Sequence, residues 1–250
     1  MEKTEKSEKR YGLLGKNISY SFSQGYFTQK FKDLGLRDHS YQNLDIRDIQ
    51  EFPQLLSETN FKGLNVTIPY KEQVIPFLAE LDSVASEIGA VNTIKFTEKG
   101  LIGFNTDAFG FQKSLEPLLG PHHTKALVLG TGGASKAIVY VLDQLDISYS
   151  YVSRTPQKGW LTYDQLDGKI INAHLLIINC TPLGTYPNID QRPDIPYQFI
   201  TEKHLLFDLV YNPAKTTFLQ LGEEQSSKIS NGLKMLELQA EKAWEIWNTR

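Results

Sequence analysis

The spacing of apolar and polar positions changes period several times along the 250 residues, and each change marks a predicted element. Residues 126–129 form a short continuous apolar run, the pattern of a strand buried on both faces. The run breaks at Gly130-Thr131-Gly132-Gly133, and apolar positions resume at helical spacing through Ala137, Val141 and Leu142. The β-branched and aromatic stretch 147–152 and the runs 175–179 and 205–209 predict three more strands. A helix around Phe218 and Leu221 continues the alternation of α and β units. Earlier in the chain, 11–15, 41–46 and 64–68 read as strands, and Pro69 ends the last by removing a ladder donor. Phe27, Phe31 and Leu34 at i, i+4, i+7 predict a helix with one apolar stripe, followed by a short helix over 49–56. Residues 90–94 and 101–104 read as two strands joined by a polar turn, and Asn105-Thr106-Asp107 opens a helix running to about Leu119. Leu233, Leu236, Ala240, Ala243 and Trp247 form the stripe of a closing amphipathic helix, with Gln239 on or beside it. The pattern is α/β, with a first domain ending near residue 105 and the helix of 106–119 as the connection.

The length allows one large or two modest domains with substantial cores. A net charge of −3 gives no reason to expect nucleic acid or an anionic membrane as partner. The single cysteine, Cys180, excludes an internal disulfide and fits a reducing compartment, so a cytoplasmic location is expected. No apolar run approaches the length of a membrane span. The opening MEKTEKSEKR is charged and lacks an apolar segment; it reads as a solvated tail, not a secretory signal. The histidines at 39, 122, 123, 174 and 204 show no metal-ligand spacing, and no GxxxxGK[ST] motif occurs. Neither a zinc hydrolase nor a P-loop NTPase is therefore expected, and no internal repeat is present.

Strand, glycine turn and helix form the context in which Gly130-x-Gly132 carries meaning. Gly130 allows the tight turn, Gly132 lets backbone approach a pyrophosphate, and the helix N-terminus directs free N–H groups at that anion. Ser135 occupies the sixth position of the usual fingerprint, so the turn alone fits either a dinucleotide site or a plain αβ turn. The next strand ends in Ser153-Arg154-Thr155, with Lys158 soon after. An NAD site would place an acid there for the ribose hydroxyls. Two cations instead suit a 2′-phosphate, which favours NADP, whereas either cation alone reads as an exposed loop charge. Ser21-x-x-Gln24 fits a capping box, although hydroxyls at a helix start also share an anion with backbone N–H groups. Lys71 is either a solvated neighbour of Glu72 or a functional group where the chain leaves a strand. Thr106 or Asp107 can cap the following helix, or the carboxylate can address a hydroxyl or a lysine. Cys180 reads as a small core residue, and Gln239 as an interhelical hydrogen-bonding group.

Taken together, the motifs resemble the shikimate dehydrogenase family, in the same order over nearly the whole chain. The resemblance rests on Ser21 and Ser23, NVTIPYK (65–71), AVNT (90–93), NTD (105–107), GTGGAS (130–135), SRT (153–155), DLVYNP (208–213) and GLKMLELQA (232–240). It implies an N-terminal α/β substrate domain (1–105 with 232–250), a Rossmann-type doubly wound NADP-binding domain (106–231), and a cleft between them. It further implies NADPH-dependent, reversible reduction of 3-dehydroshikimate to shikimate in aromatic amino-acid biosynthesis. By position, Lys71 and Asp107 match the catalytic pair, and Ser21, Ser23, Thr67, Asn92, Tyr211 and Gln239 the substrate contacts. Gly130, Gly132, Gly133, Ala134, Ser153, Arg154, Thr155 and Lys158 match the NADP(H) site. The chain departs from the pattern at Gln24, where proline is usual, and at Ala108 and Lys234, where glycine is usual. Lys234 bears on nicotinamide placement and substrate preference. A quinate-type enzyme with another cyclic hydroxy acid, and a non-catalytic nucleotide-binding regulator, are the alternative readings. A methyltransferase fits less well, because it would call for an acid near Ser153. The expected partner is a small molecule, and the expected state a monomer or homodimer.

Overall fold

The computed structural model describes residues 8–19, 21–58 and 60–249. The chain divides into two compact units, Met1–Thr106 with Ala240–Arg250, and Asp107–Gln239.

The first unit opens with β1 (Lys9–Gly15), α1 (Phe22–Asp33), β2 (His39–Asp45), α2 (Phe52–Glu58, after one 3-10 turn), β3 (Phe61–Val66) and α3 (Tyr70–Gln73). It continues through β4 (Glu80–Leu81), α4 (Ser83–Ile88), β5 (Thr93–Thr97) and β6 (Gly100–Phe104). Its sheet has the order β2-β1-β3-β5-β6-β4. The three strands β2, β1 and β3 are parallel, and β5 pairs antiparallel with both β3 and β6. Alternate residues of the parallel strands feed two cores. Leu14, Leu44, Leu64 and Val66 pack with Phe52, Tyr70 and Val74 on one face. On the other, Tyr11, Leu13 and Tyr41 pack with Phe27 and Phe31 of α1 and with Ala240, Ala243 and Trp247 from the C-terminal segment. The second core is an aromatic stack: Phe27 lies 4.7 Å from Tyr41 at 12°, and 5.2 Å from Trp247. Such pairs contribute roughly 0.5–1.5 kcal/mol each beyond their buried area.

The second unit begins one residue into α5 (Thr106–Leu115) and continues through β7 (Lys125–Leu129), α6 (Gly133–Gln144), β8 (Ser148–Ser153), β9 (Leu161–Thr162), α7 (Gly168–Ala173) and β10 (Leu176–Asn179). Then come β11 (Leu205–Asp208), α8 (Thr217–Glu224), β12 (Lys228–Ser230) and α9 (Leu233–Asn248), within which the division between the units falls. All six strands are parallel, in the order β12-β11-β10-β7-β8-β9. Counted from β7 as the first strand, this is the 3-2-1-4-5-6 order of a doubly wound dinucleotide fold. Leu127, Leu129, Ile177 and Leu206 pack with Ile171 of α7 and Phe218 and Leu219 of α8. Phe207 points the opposite way and meets Phe111 of α5 edge-on at 5.2 Å. Burial on both faces explains why the central strands read as unbroken apolar runs.

Several boundaries differ from the sequence pattern. Of the expected N-terminal tail, residues 1–7 lie outside the described residues, whereas Lys9 and Arg10 pair with β2 through their backbone while remaining exposed. Leu34 falls on the C-cap of α1 and is 53 % exposed, so the stripe stops at Phe31. The strand expected over 64–68 ends at Val66, three residues before Pro69, which instead precedes α3. The strand expected from residue 90 starts at Thr93, and the helix expected to reach Leu119 ends at Leu115, one 3-10 turn following. In α9 the buried positions are Met235, Gln239, Ala240, Ala243 and Trp247, whereas Leu233 is exposed and Leu236 half-buried.

Candidate active site

In the first unit the sequence-picked residues gather where β1, β2, β3 and β5 meet the loops beside them. Asp45 of β2 accepts from the backbone N–H groups of Asn17 (2.9 Å) and Ile18 (3.2 Å) and so fixes the loop entering α1. Ser21 is the N-cap of that helix, its hydroxyl accepting from Gln24 N at 3.4 Å. The reciprocal half of the expected capping box is not made. The Gln24 side chain instead accepts from Asn43 Nδ2 at 3.1 Å. Ser23 is buried and hydrogen-bonded to Tyr41, whose hydroxyl donates to Asn65 Oδ1 at 2.8 Å. Burial pushes the Tyr41 phenol up, so it stays neutral and donates.

Asn65 Nδ2 carries the network on to Thr93 Oγ1 (3.2 Å), and Asn92 lies at its centre. The Asn92 Oδ1 atom accepts from Thr106 N (2.7 Å), Thr106 Oγ1 (3.1 Å) and Thr93 Oγ1 (3.1 Å). Asn105 donates to Ala90 O at 2.9 Å. The buried side chains of AVNT and NTD therefore hold each other in place. Thr67 N donates to Leu14 O (2.9 Å), and its own carbonyl accepts from Tyr70 N (2.9 Å). Lys71 follows in the single turn of α3. Its carbonyl accepts from Val91 N at 2.8 Å, and the buried Tyr70 beside it donates to Ile46 O at 2.8 Å. The Lys71 backbone is thus fixed from both sides, while its half-buried side chain carries the ammonium.

In the second unit, β7 ends at Leu129 and Gly130 turns the chain with φ +96°, a left-handed conformation that favours glycine. Gly130 N donates to Val152 O (2.9 Å) and Cys180 N to Leu129 O (2.8 Å), so the ends of β8 and β10 flank the turn. This is the point at which the strand order reverses. Gly132 caps α6, and a β-carbon built on it meets nothing within 4 Å, so backbone lies open at the helix start. Ser135, at the sixth position of the fingerprint, is buried and donates to Gly132 O at 2.7 Å, which stiffens the turn. The cofactor candidates Gly130, Gly132, Gly133 and Ala134 thus stand at the carboxyl end of β7, next to Ser153, Arg154 and Thr155 at the end of β8. Ser153 is buried and accepts from Thr155 N at 3.1 Å, whereas Arg154, Thr155 and Lys158 are exposed. Open glycine backbone at the N-terminus of a twelve-residue helix, with exposed cations on the adjacent strand end, fits a dinucleotide carrying an extra phosphate.

Asp107 is in the first turn of α5 and half-buried. Tyr211 follows β11, with its phenol pushed up by burial. Gln239 is buried in α9 and donates to Leu236 O at 2.9 Å. Lys234, the departure in that helix, is exposed and 3.7 Å from Glu237. Cys180 is half-buried, and its thiol is pushed up by burial and by nearby Asp208, which suits the core reading and not a nucleophile.

One group was not picked from the sequence. Asn179 and Asp208 are the last residues of β10 and β11, both fully buried. Asp208 accepts from Asn179 Nδ2 (2.9 Å), Val210 N (3.0 Å) and Thr216 Oγ1 (2.5 Å). Asn179 Oδ1 accepts from Thr181 N (3.0 Å) and Oγ1 (2.6 Å). Burial raises the Asp208 carboxyl to about 6, against the opposing pull of those hydrogen bonds. The network ties the strand end beside the glycine turn to the loop bearing Tyr211. In the sequence Asp208 opens the DLVYNP stretch and Asn179 closes an apolar run, and neither position shows that the two are bonded. Among the described residues no group of three or more potential ligands is arranged to hold a metal, and no helix is long and apolar enough to cross a membrane.

Comparison with known proteins adds to this geometry. A family model for the shikimate dehydrogenase substrate binding domain matches residues 13–94. A curated relative from Halothermothrix orenii, named shikimate dehydrogenase (NADP(+)), is 38 % identical, over 94 % of this chain and 89 % of its own length. A crystal structure of a shikimate dehydrogenase in complex with NADP+ superposes with a TM-score of 0.86 at 31 % identity, covering 96 % of this chain and 90 % of that one. The Thermus thermophilus enzyme, solved in complex with NADP(H) and shikimate, gives 0.84 at 31 % identity, over 96 % and 93 % of the two chains.

Proposed function

Because the chain belongs to the shikimate dehydrogenase family, we propose that it catalyses the reversible, NADPH-dependent reduction of 3-dehydroshikimate to shikimate. The observation that carries this reading is the pairing, in one chain, of a glycine turn flanked by Arg154 with the interlocked NVTIPYK, AVNT and NTD segments. The first unit, with the end of α9, serves as the substrate domain, and the second as the NADP-binding domain.

NADPH, when bound, supplies the hydride. Gly130, Gly132, Gly133 and Ala134 would hold its pyrophosphate, and Ser153, Arg154, Thr155 and Lys158 its 2′-phosphate. As a ketone accepts hydride its oxygen gains negative charge and needs a proton. Lys71 donates that proton from its ammonium and takes it back in the reverse direction, and Asp107 orients the ammonium and a ring hydroxyl. Ser21, Ser23, Thr67, Asn92, Tyr211 and Gln239 bind the substrate. The fixed backbone of Lys71 and the locked carboxamide of Asn92 support these roles, because catalytic geometry tolerates little play. The protein acts in the cytoplasm as a monomer or homodimer.

The test is to mix purified protein with NADPH or NADH and follow reduced-cofactor absorbance on adding 3-dehydroshikimate or 3-dehydroquinate. Rapid NADPH consumption with dehydroshikimate is expected. A preference for dehydroquinate would move the assignment to the quinate-type reading, and no turnover with either would leave the regulator.

A further inference from the structure

The polar contacts around Ser21 form a device that the roles above do not use. The Ser21 hydroxyl has one proton, and it donates that proton to Asn43 Oδ1 at 3.0 Å. The Asn43 carboxamide has no choice of orientation. Its Nδ2 donates to the Ile18 carbonyl at 2.9 Å and to Gln24 Oε1 at 3.1 Å. Turning the amide over would set its oxygen against the Ile18 backbone oxygen, which has no donor form. Asn43 is therefore held with its oxygen toward Ser21 by one backbone group and one side chain. Gln24 stands in the first turn of α1, where proline would offer no side-chain acceptor. The same strand places Asp45 two residues on, on the same side, gripping the N–H groups of Asn17 and Ile18. One face of β2 thus holds both the loop and its hydroxyl.

We propose that Asn43, oriented by Ile18 and Gln24, is a positioning residue: by taking the Ser21 proton it fixes the rotamer of that hydroxyl, so that a remaining lone pair on its oxygen accepts from a hydroxyl of the cyclic substrate. It touches no substrate itself. Without it, Ser21 retains only the 3.4 Å contact from Gln24 N, and its Oγ is free to rotate among staggered positions. Binding then requires that rotation to be frozen, so the cost falls on affinity and not on the chemical step. The inference rests on the reading of Ser21 as a substrate contact.

The experiment is a double-mutant cycle read through KM and kcat. Ser21→Ala alone tests the underlying reading, and a raised KM is expected. Asn43→Ala should raise KM for the cyclic substrate about 3–10-fold, the range of one hydrogen bond, with kcat within about two-fold of the parent and KM for NADPH unmoved. In the Ser21→Ala background the same change should have no further effect on KM. Gln24→Leu, at an exposed position, should give a smaller KM increase that also disappears in the Ser21→Ala background. If Asn43→Ala does not yield folded protein, the Gln24→Leu cycle decides. Ser21→Ala without effect would overturn the substrate contact. Equal KM increases in both backgrounds, or none beside a clear Ser21→Ala effect, would overturn the positioning role.

Discussion

The indole of Trp247 occupies the space that a side chain on Gly63 would take: a β-carbon there would lie 2.3 Å from the ring. The same indole donates from Nε1 to Ile94 O at 3.0 Å. A residue from the last helix is thereby seated on β3 and bonded to β5, which makes the end of α9 part of the first unit's core. The obstruction above Gly63 is a rigid, buried ring. Gly63→Ala is expected to destabilise the protein by about 1–3 kcal/mol, and Trp247→Ala by about 3–5 kcal/mol. Trp247→Phe keeps most of the ring and loses the N–H, at a cost of about 1 kcal/mol. Urea unfolding followed by circular dichroism measures all three, and an unchanged midpoint for Gly63→Ala would contradict the packing.

Lys71→Ala is expected to lower kcat by about 10²–10⁴-fold while changing KM for the substrate little, because the ammonium is assigned to proton transfer. Lys71→Arg keeps the positive charge but is too weak an acid to release a proton near neutral pH, so it should recover little of the loss. Its main-chain bond to Val91 survives either change, and unfolding midpoints should stay near those of the parent. Turnover within about three-fold of the parent in purified Lys71→Ala would remove lysine from the acid–base role.

Arg154 is exposed at the end of β8, and its positive charge is felt at Tyr163, where it opposes the upward push of burial on the phenol. Charge-assisted contacts to a phosphate contribute about 1.5–3 kcal/mol. Arg154→Ala should therefore weaken NADPH binding about 10–100-fold while leaving NADH binding within a few-fold. Titrating the intrinsic fluorescence with each cofactor separates the two, and equal losses would contradict a 2′-phosphate contact.

How much of this was legible in one dimension depends on whether an element's neighbours were needed to read it. The run 126–129 and the glycine turn needed none, since a strand buried on both faces and a left-handed glycine each leave a local trace. Leu34 and Leu233 misled because helical periodicity continues into caps and first turns, where a side chain in register has nothing above it. The order 3-2-1-4-5-6 left no local trace, because parallel partners lie far apart in the chain. Asn43 escaped notice for the same reason: its partners Ile18, Ser21 and Gln24 lie on another element, and within β2 it is one polar residue in an alternating strand. Asn179 and Asp208 fall inside the runs 175–179 and 205–209 that read as strands, but nothing in either run shows that the two side chains meet, and only the sheet pairs them, fully buried.

Asp208 leads to a pH prediction whose sign can be worked out. Burial raises its carboxyl from an ordinary 3.8 to about 6 in the folded protein. A group held above its unfolded value contributes stability that is fully present below pH 3.8 and lost as pH rises through about 6. At neutral pH the ionised form is retained at a cost on the order of 3 kcal/mol relative to strong acid. His123 and His204 act in the opposite direction. Burial lowers both, so their contribution is present above the ordinary histidine range and is lost as pH falls. Each also accepts a backbone N–H at Nδ1, from Gly120 at 2.8 Å and Thr201 at 3.0 Å, a bond that protonation would break. The stability curve of the parent therefore mixes opposing slopes, and a difference between two proteins isolates the carboxyl. Asp208→Asn keeps an oxygen to accept from Val210 N and Asn179 Nδ2 and mimics the protonated acid toward Thr216. As pH rises from 4 to 7, the gap in unfolding free energy should shift toward the variant by roughly 2–3 kcal/mol. Urea titrations of both proteins at several pH values read that gap directly, and a gap independent of pH would mean that Asp208 does not titrate in this range.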